Sequence, residues 1–271
     1  METIEKIDDW RGRYGLWQEK NGAQASDGDV GSDYPFIENK RAPFRPLGRA
    51  LPMLNLALIG SAGAYIDGTQ AFDTSAPGGD VTFREIPIEV EAEDFRYATR
   101  GFDPQSVLQD RNAQFPIDRL FEFAGNGIIG QLNPVFWSFC GFIPDAAQMT
   151  NTMLPELVAR VKRYEVNAVL LVPASRLCHQ STALMARALE DAGVATMMLA
   201  VARDVVDMVR APRAVYYRGE FGSVAGHPSQ PEYQRRILDE SLRLLEPFDQ
   251  PGVRKLVVEL ETTVEKERGE K

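Results

Sequence analysis

Residues 54–59, Leu-Asn-Leu-Ala-Leu-Ile, form a short and nearly unbroken apolar run that ends in Gly60-Ser61-Ala62-Gly63-Ala64-Tyr65. Such a run predicts a strand buried on both faces, as in a parallel sheet covered by helices. Residues 168–172 and 194–201 repeat the pattern, and residues 81–88 predict a further strand. Elsewhere the apolar spacing is helical. Met153, Leu154, Leu157, Val161 and Tyr164 mark one helix face, and Leu184, Met185, Ala188, Leu189 and Ala192 mark another, closed by Gly193. Ser181 or Thr182 is the expected cap of that second helix. Residues 115–124 and 233–245 add two more helices. Helix, strand, helix, strand with short connections predicts an α/β fold, with parallel-sheet, Rossmann-like lobes flanked by helices.

The flanks read differently. Residues 1–50 predict an N-terminal arm and linker: a short helix with Trp10, Tyr14 and Trp17 at helical spacing, a Gly/Asp/Ser stretch over 21–33, then an extended strap, Arg41-Ala42-Pro43-Phe44-Arg45-Pro46. Asp27, Asp29 and Glu38 take positions one, three and twelve of a calcium-loop pattern. Gly31 and Ser32 stand where a ligand and the required glycine belong, so the stretch reads as a solvated loop. Residues 51–246 are the expected α/β body, in one piece or two lobes. Residues 247–271 predict a charged tail that projects or docks on another subunit. Gly125-Asn126-Gly127-Ile128-Ile129-Gly130 matches the dinucleotide fingerprint by letter, but a helix precedes it and Leu132-Asn133-Pro134 follows, so the glycines predict a helix end.

Composition narrows the function classes. The chain has 271 residues, 44% of them hydrophobic and 25% charged, which is the profile of an ordinary globular protein. Its net charge of −9 argues against nucleic-acid binding, and Arg210, Arg213 and Arg218 make at most a local anion site. No segment approaches the roughly 18–20 uncharged apolar residues of a membrane span, and the first residues lack the order of a signal peptide. A cytoplasmic protein without membrane partners is expected. Two cysteines, Cys140 and Cys178, cannot build a disulfide scaffold, and with two histidines a zinc site lacks clustered ligands. No metal or other cofactor is expected.

The chemistry concentrates in Pro173-Ala174-Ser175-Arg176-Leu177-Cys178-His179-Gln180, between a strand and a helix. Amides at a helix start favour a thiolate, and Arg176 or His179 could add positive charge. Ser175, three residues earlier, shares a pocket with Cys178 if the loop turns. A reactive Cys178 and a buried structural Cys178 are both compatible with these residues. The small residues Gly60, Ser61 and Gly63, with Thr69 beyond them, could grip a substrate carboxylate through backbone and hydroxyl donors, or simply make a tight turn.

Residues 169–181, Val-Leu-Leu-Val-Pro-Ala-Ser-Arg-Leu-Cys-His-Gln-Ser, resemble the active-site segment of the selenoprotein B family, which includes component B of glycine, sarcosine and betaine reductases and D-proline reductase. The similarity extends to residues 115–120, to Gly127-Ile128-Ile129-Gly130 and to Gly226-His227-Pro228, and spans roughly residues 54–246. In that family a selenocysteine or cysteine precedes a second cysteine by three residues; the pair cleaves a carbon–heteroatom bond reductively and is recycled by thiols. Cys178 keeps the second position, whereas Ser175 occupies the first and cannot close a selenenyl sulfide or disulfide. Residues 96–103, where the resemblance implies histidines, are Arg-Tyr-Ala-Thr-Arg-Gly-Phe-Asp. The resemblance implies an enzyme acting on a small amino or carboxylic acid derivative. Cys178 is its nucleophile or acid/base, Ser175 and His179 assist, and Arg176 joins the substrate-binding set. It also implies a thiol reductant or homologous subunit as partner, in an oligomer. Redox-neutral cleavage or rearrangement, reductive cleavage with an external thiol, and a non-catalytic subunit paired with an active homologue all remain open.

Overall fold

A computed structural model describes residues 2–21, 30–31 and 33–258. The first half of the chain contributes α1 (Ile7–Asn21), β1 (Asn55–Gly60), β2 (Ala64–Ile66), β3 (Arg84–Pro87), β4 (Phe95–Tyr97), α2 (Gln105–Gln109), α3 (Ile117–Gly125), β5 (Gln131–Leu132) and β6 (Val135–Ser138). Then come α4 (Ala146–Asn151), α5 (Met153–Arg163), β7 (Ala168–Val172), α6 (Arg176–Asp191) and β8 (Ala195–Ala200). The chain continues through α7 (Arg203–Val209), β9 (Arg213–Tyr216), α8 (Pro231–Arg243) and β10 (Gly252–Lys255).

The main sheet runs β10-β9-β8-β7-β1-β6-β3, with short β5 also paired to β1. Every pairing in it is parallel except β3 with β6. This is the α/β fold with a mostly parallel sheet that the apolar runs predict. Those runs are continuous because successive residues feed two cores. Ala57, Ile59, Val169, Leu171 and Met198 pack on one face of the sheet, and Leu56, Leu58, Leu170, Val172 and Met197 pack on the other. Residues 81–88 supply only a four-residue antiparallel edge strand. The start of the stretch read as a charged tail is β10, which extends the opposite edge. The dinucleotide-like glycines do follow a helix, α3, and only the two residues of β5 come after them.

The three aromatics of α1 are buried, and they join the core on the side of α5 and α6. The strap is held by two buried arginines. Arg187 Nη1 donates to the carbonyl of Arg41 at 2.6 Å, and Nε and Nη2 donate to the carbonyls of Thr3 and Glu2. Arg213 donates to the carbonyl of Arg45 at 2.8 Å, lies 4.6 Å from the Phe44 ring centroid, and pairs with fully buried Glu190 at 3.6 Å. Arg213 is therefore spent on the fold and does not form a surface anion site with Arg210 and Arg218. The calcium-like pattern falls largely outside the described residues, as does the tail beyond Val258.

Candidate active site

Helix α6 starts six residues earlier than the Ser181 cap would place it. Ser175 is extended (φ −130°, ψ 177°), and its Oγ accepts from the Cys178 amide at 3.2 Å, so Ser175 is the N-cap. Ser181 and Thr182 lie inside the helix, where the Ser181 hydroxyl donates to the Gly141 carbonyl at 2.8 Å. Cys178 accordingly sits within the first helical turn. The Ser175 hydroxyl also donates to the Cys178 sulfur at 3.0 Å. The structure thus brings these two predicted residues together.

The carboxyl ends of β1 and β6 close around the thiol. Ser61 Oγ accepts from the Ala174 amide at 2.8 Å, and its carbonyl lies 4.0 Å from Cys178 Sγ. A Cβ added to Gly141 would sit 2.9 Å from that sulfur and 2.5 Å from Ser61 Cβ, so glycine is what lets the backbone after β6 pass so close. Gly63 needs its positive φ of 68°, and a side chain there would strike the Ala98 carbonyl. Gly60 packs against the Phe115 ring. Of the four residues proposed to grip a substrate from this region, Ser61 lies against the thiol, while Gly60 and Gly63 beside it in the chain face the Phe115 ring and the Ala98 backbone. Thr69 lies apart, exposed in the turn beyond β2 with its hydroxyl donating to Ile66.

The two charged candidates are committed elsewhere. His179 is fully buried, and Nδ1 meets the Ser175 carbonyl at 2.6 Å while Nε2 accepts from the amides of Val201 and Ala202 at 3.0 and 3.2 Å. That pattern fixes a neutral ring with its proton on Nδ1. Burial pushes the pKa down to about 4. Arg176 pairs with Asp204 and stacks on Phe36. Gln180, a residue the sequence reading left without a role, accepts from the Ile37 amide at 2.8 Å and donates to Tyr34 Oη at 2.9 Å, so residues 34–37 roof this end of α6.

Electrostatically the site differs from the thiolate expectation. Desolvation raises the Cys178 pKa, outweighing the lowering by the Ser175 hydroxyl, Ser61 and the amides. Cys140, also buried and free, is pushed up to about 12 by burial first and by Cys178 second. In this closed conformation both thiols are protonated. The described clefts lie elsewhere; one of 730 Å³ sits at the amino ends of β1 and β7, by Asn55 and Asn167. Among the described residues no cluster of His, Cys, Asp or Glu could hold a metal, and no helix is long and apolar enough to cross a membrane.

Comparison with known proteins adds a lineage to this geometry. The profile of the glycine/sarcosine/betaine reductase selenoprotein B family matches residues 78–174, ending one residue before the Ser175 cap. The chain is 32% identical over 207 residues to the D-proline reductase subunit gamma of Acetoanaerobium sticklandii, covering 76% of this chain and 84% of that one. It is 25% identical over 221 residues to the glycine reductase complex component B subunit gamma of Symbiobacterium thermophilum, and 26% identical over 165 residues to that of Peptoclostridium litorale. The chain spans 51% and 37% of the length of these two glycine reductase relatives. No solved structure matches.

Proposed function

The chain belongs to the selenoprotein B family of glycine, sarcosine, betaine and D-proline reductase components, and from that premise we propose that it is a reductase subunit in which Cys178 is the reacting thiol. The substrate is a small amino or carboxylic acid derivative, and a second thiol from a reductant or a homologous subunit completes the reaction. The Ser175 hydroxyl, 3.0 Å from Cys178 Sγ where the family motif has its first redox atom, carries this reading.

In the proposed reaction the Cys178 sulfur, its proton passed to solvent, attacks the carbon that bears the heteroatom. A carbon–sulfur bond forms, and the heteroatom leaves with the bonding pair and takes up a proton. A second thiol then attacks Cys178 sulfur, forming a mixed disulfide, and the released carbon takes a proton. A further thiol reduces the disulfide, so two thiols are oxidised for each carbon–heteroatom bond cleaved. Ser175 cannot supply the second thiol. Its role is to donate a hydrogen bond to the sulfur and to hold it over the first amides of α6, both of which lower the cost of ionisation once the site opens. His179 acts by position: its ring ties the start of α6 to the β8–α7 junction.

Alkylation of the native protein near neutral pH tests this reading, with Cys178 expected to react faster than Cys140. Cys178→Ala is expected to abolish turnover by the assembled reductase. Equal, slow labelling of the two thiols together with full activity of Cys178→Ala would overturn it. The second reading, a non-catalytic subunit paired with an active homologue, is favoured by the serine in place of a redox atom, and it would be left standing by that result.

A further inference from the structure

Cys178 is fully buried, and Ser175, whose hydroxyl touches its sulfur, is 1% exposed. A reaction at that sulfur therefore needs part of the surrounding wall to move. Most of the wall is hydrogen-bonded to its neighbours. The Ser61 amide donates to the Val172 carbonyl at 3.0 Å, and the Ser61 carbonyl accepts from the Gly141 amide at 3.0 Å. The Gly141 carbonyl in turn accepts from the Ser181 hydroxyl, and the Gly222 amide donates to the Ala174 carbonyl at 2.9 Å.

Residues 98–103, which join β4 to α2, are the exception. Both ends are fixed: the Ala98 amide donates to the Gly63 carbonyl at 2.9 Å, and the Asp103 carboxylate accepts from the Gln105 amide at 3.0 Å. Between them, among the described residues, no N–H or C=O of residues 99–102 is bonded to another backbone group. Side chains hold the middle. Arg100 Nη1 donates to the Ala76 carbonyl at 2.8 Å, and its guanidinium lies 4.6 Å from the Phe142 ring centroid. Phe102 packs on the turn at Gly222, where an added Cβ would lie 3.2 Å from its ring. Gly101, with a φ of +83°, is where the stretch comes down on the site: a Cβ there would lie 3.3 Å from Ser175 Oγ and 2.4 Å from the Phe142 ring. Gly101 and Phe102 are themselves partly exposed, so this one layer of chain stands between the Ser175 hydroxyl and solvent.

We infer that residues 98–103 are an access lid, tied at both ends and turning at Gly101, which lifts off Ser175 to admit a reactant to Cys178. The inference rests on the reading of Cys178 as the reacting thiol. Energetics single out this stretch from its neighbours. Lifting it breaks one side-chain hydrogen bond and the packing of one partly exposed ring, whereas moving Ser61 or Gly141 breaks several bonds inside a filled core. Lifting also returns the guanidinium of Arg100, 7% exposed when closed, to water, which offsets part of the cost. Gly101 reaches backbone conformations on both sides of φ = 0 that other residues avoid, so it can absorb the movement.

Alkylation of Cys178 by iodoacetamide, followed by peptide mass spectrometry at fixed pH and at urea concentrations below the unfolding transition, tests the lid in the full chain. The thiolate sulfur displaces iodide, which leaves with the carbon–iodine bonding pair, and the thiol proton goes to buffer. A local opening exposes little surface, so the rate is expected to stay nearly flat in urea, whereas exposure by global unfolding would carry the full denaturant slope. Phe102→Ala removes the ring that holds the lid on the Gly222 turn. It should raise the rate about tenfold, with the flat urea dependence kept. Should that variant fail to fold, Phe102→Leu serves in its place, with a rise of roughly two- to threefold. A rate that climbs with urea as steeply as unfolding does would mean that the thiol is reached only in the unfolded chain, which overturns the lid and the native reactivity of Cys178 together. A flat rate that the Phe102 variants leave unchanged overturns the lid alone and leaves the reacting thiol in place.

Discussion

The hydroxyl of Ser175 is 3.0 Å from the sulfur of Cys178 and 3.2 Å from the amide nitrogen of the same residue, so one side chain both caps α6 and touches its thiol. In the family motif this position carries a redox atom. Here the interaction that starts the helix is kept while the second sulfur or selenium is absent.

Ser175→Cys should therefore create a pair able to close. The donor and acceptor atoms already face each other in the first turn, and small side-chain rotations would bring two sulfurs to bonding distance. On mild oxidation the variant should lose two titratable thiols relative to its reduced form, and the wild type none. Full retention of both thiols in the oxidised variant would show that the first turn of α6 is too rigid to bridge. A thiol is a poorer cap than a hydroxyl, so reduced Ser175→Cys should also be less stable by about 1 kcal/mol in urea unfolding.

Gly141→Ala tests how tightly the wall is packed. The new methyl would meet Cys178 Sγ at 2.9 Å and Ser61 Cβ at 2.5 Å, both within a filled core. Overpacking of this kind should cost roughly 1–3 kcal/mol, read as a lowered urea midpoint with unchanged slope. Alkylation of Cys178 should change in the same variant, because the displaced backbone is the one that covers the sulfur. Wild-type stability would mean that the turn after β6 moves freely.

Much of the fold was readable because the parallel strands are buried on both faces. The runs at 54–59, 168–172 and 194–201 could be little else, and all three form central strands. β9 was missed because Arg213 opens it: a buried arginine reads as polar until Glu190 and the Thr196 carbonyl are seen beside it. The meeting of Ser175 with Cys178 was legible in their spacing, but the direction of the other side chains was not. His179 and Cys178 are adjacent in sequence, yet successive residues of a helix project about 100° apart, so one turns to the β8–α7 junction and the other to Ser61.

Arg187→Met should release the N-terminal strap. The guanidinium serves the carbonyls of Glu2, Thr3, Arg41 and Arg210 from a largely buried position, and burial already lowers its pKa to about 10. Methionine keeps much of the volume and removes every donor. Stability should fall by on the order of 3 kcal/mol as those carbonyls lose their partner. Trypsin should then cut after Lys40 or Arg41 far faster than in the wild type. A variant with unchanged cleavage in the strap would mean that Arg213 and Phe44 suffice to hold it.

Acid stability should report His179. In the folded protein its pKa is about 4, against about 6.5 for an exposed histidine, because the ring is buried and Nε2 accepts two amides. Between those two values the unfolded chain binds a proton that the folded protein does not, so stability rises with pH across that window and is lost as pH falls from about 6.5 to 4. The full effect amounts to roughly 3 kcal/mol. Asp110, Asp118 and Asp204 have lowered pKa values and act on the acid side of the ordinary carboxylate range, whereas burial raises the Glu190 pKa and gives it a slope of opposite sign, so the histidine is isolated by the difference between wild type and His179→Gln in urea unfolding between pH 7 and 4.5. His179→Gln cannot take up the proton. It should be less stable than the wild type at pH 7, and the rise of stability with pH that the histidine gives the wild type should be missing from it. An equal slope in both proteins would mean that the ring protonates without cost in the folded state, which two amide donors aimed at Nε2 do not allow.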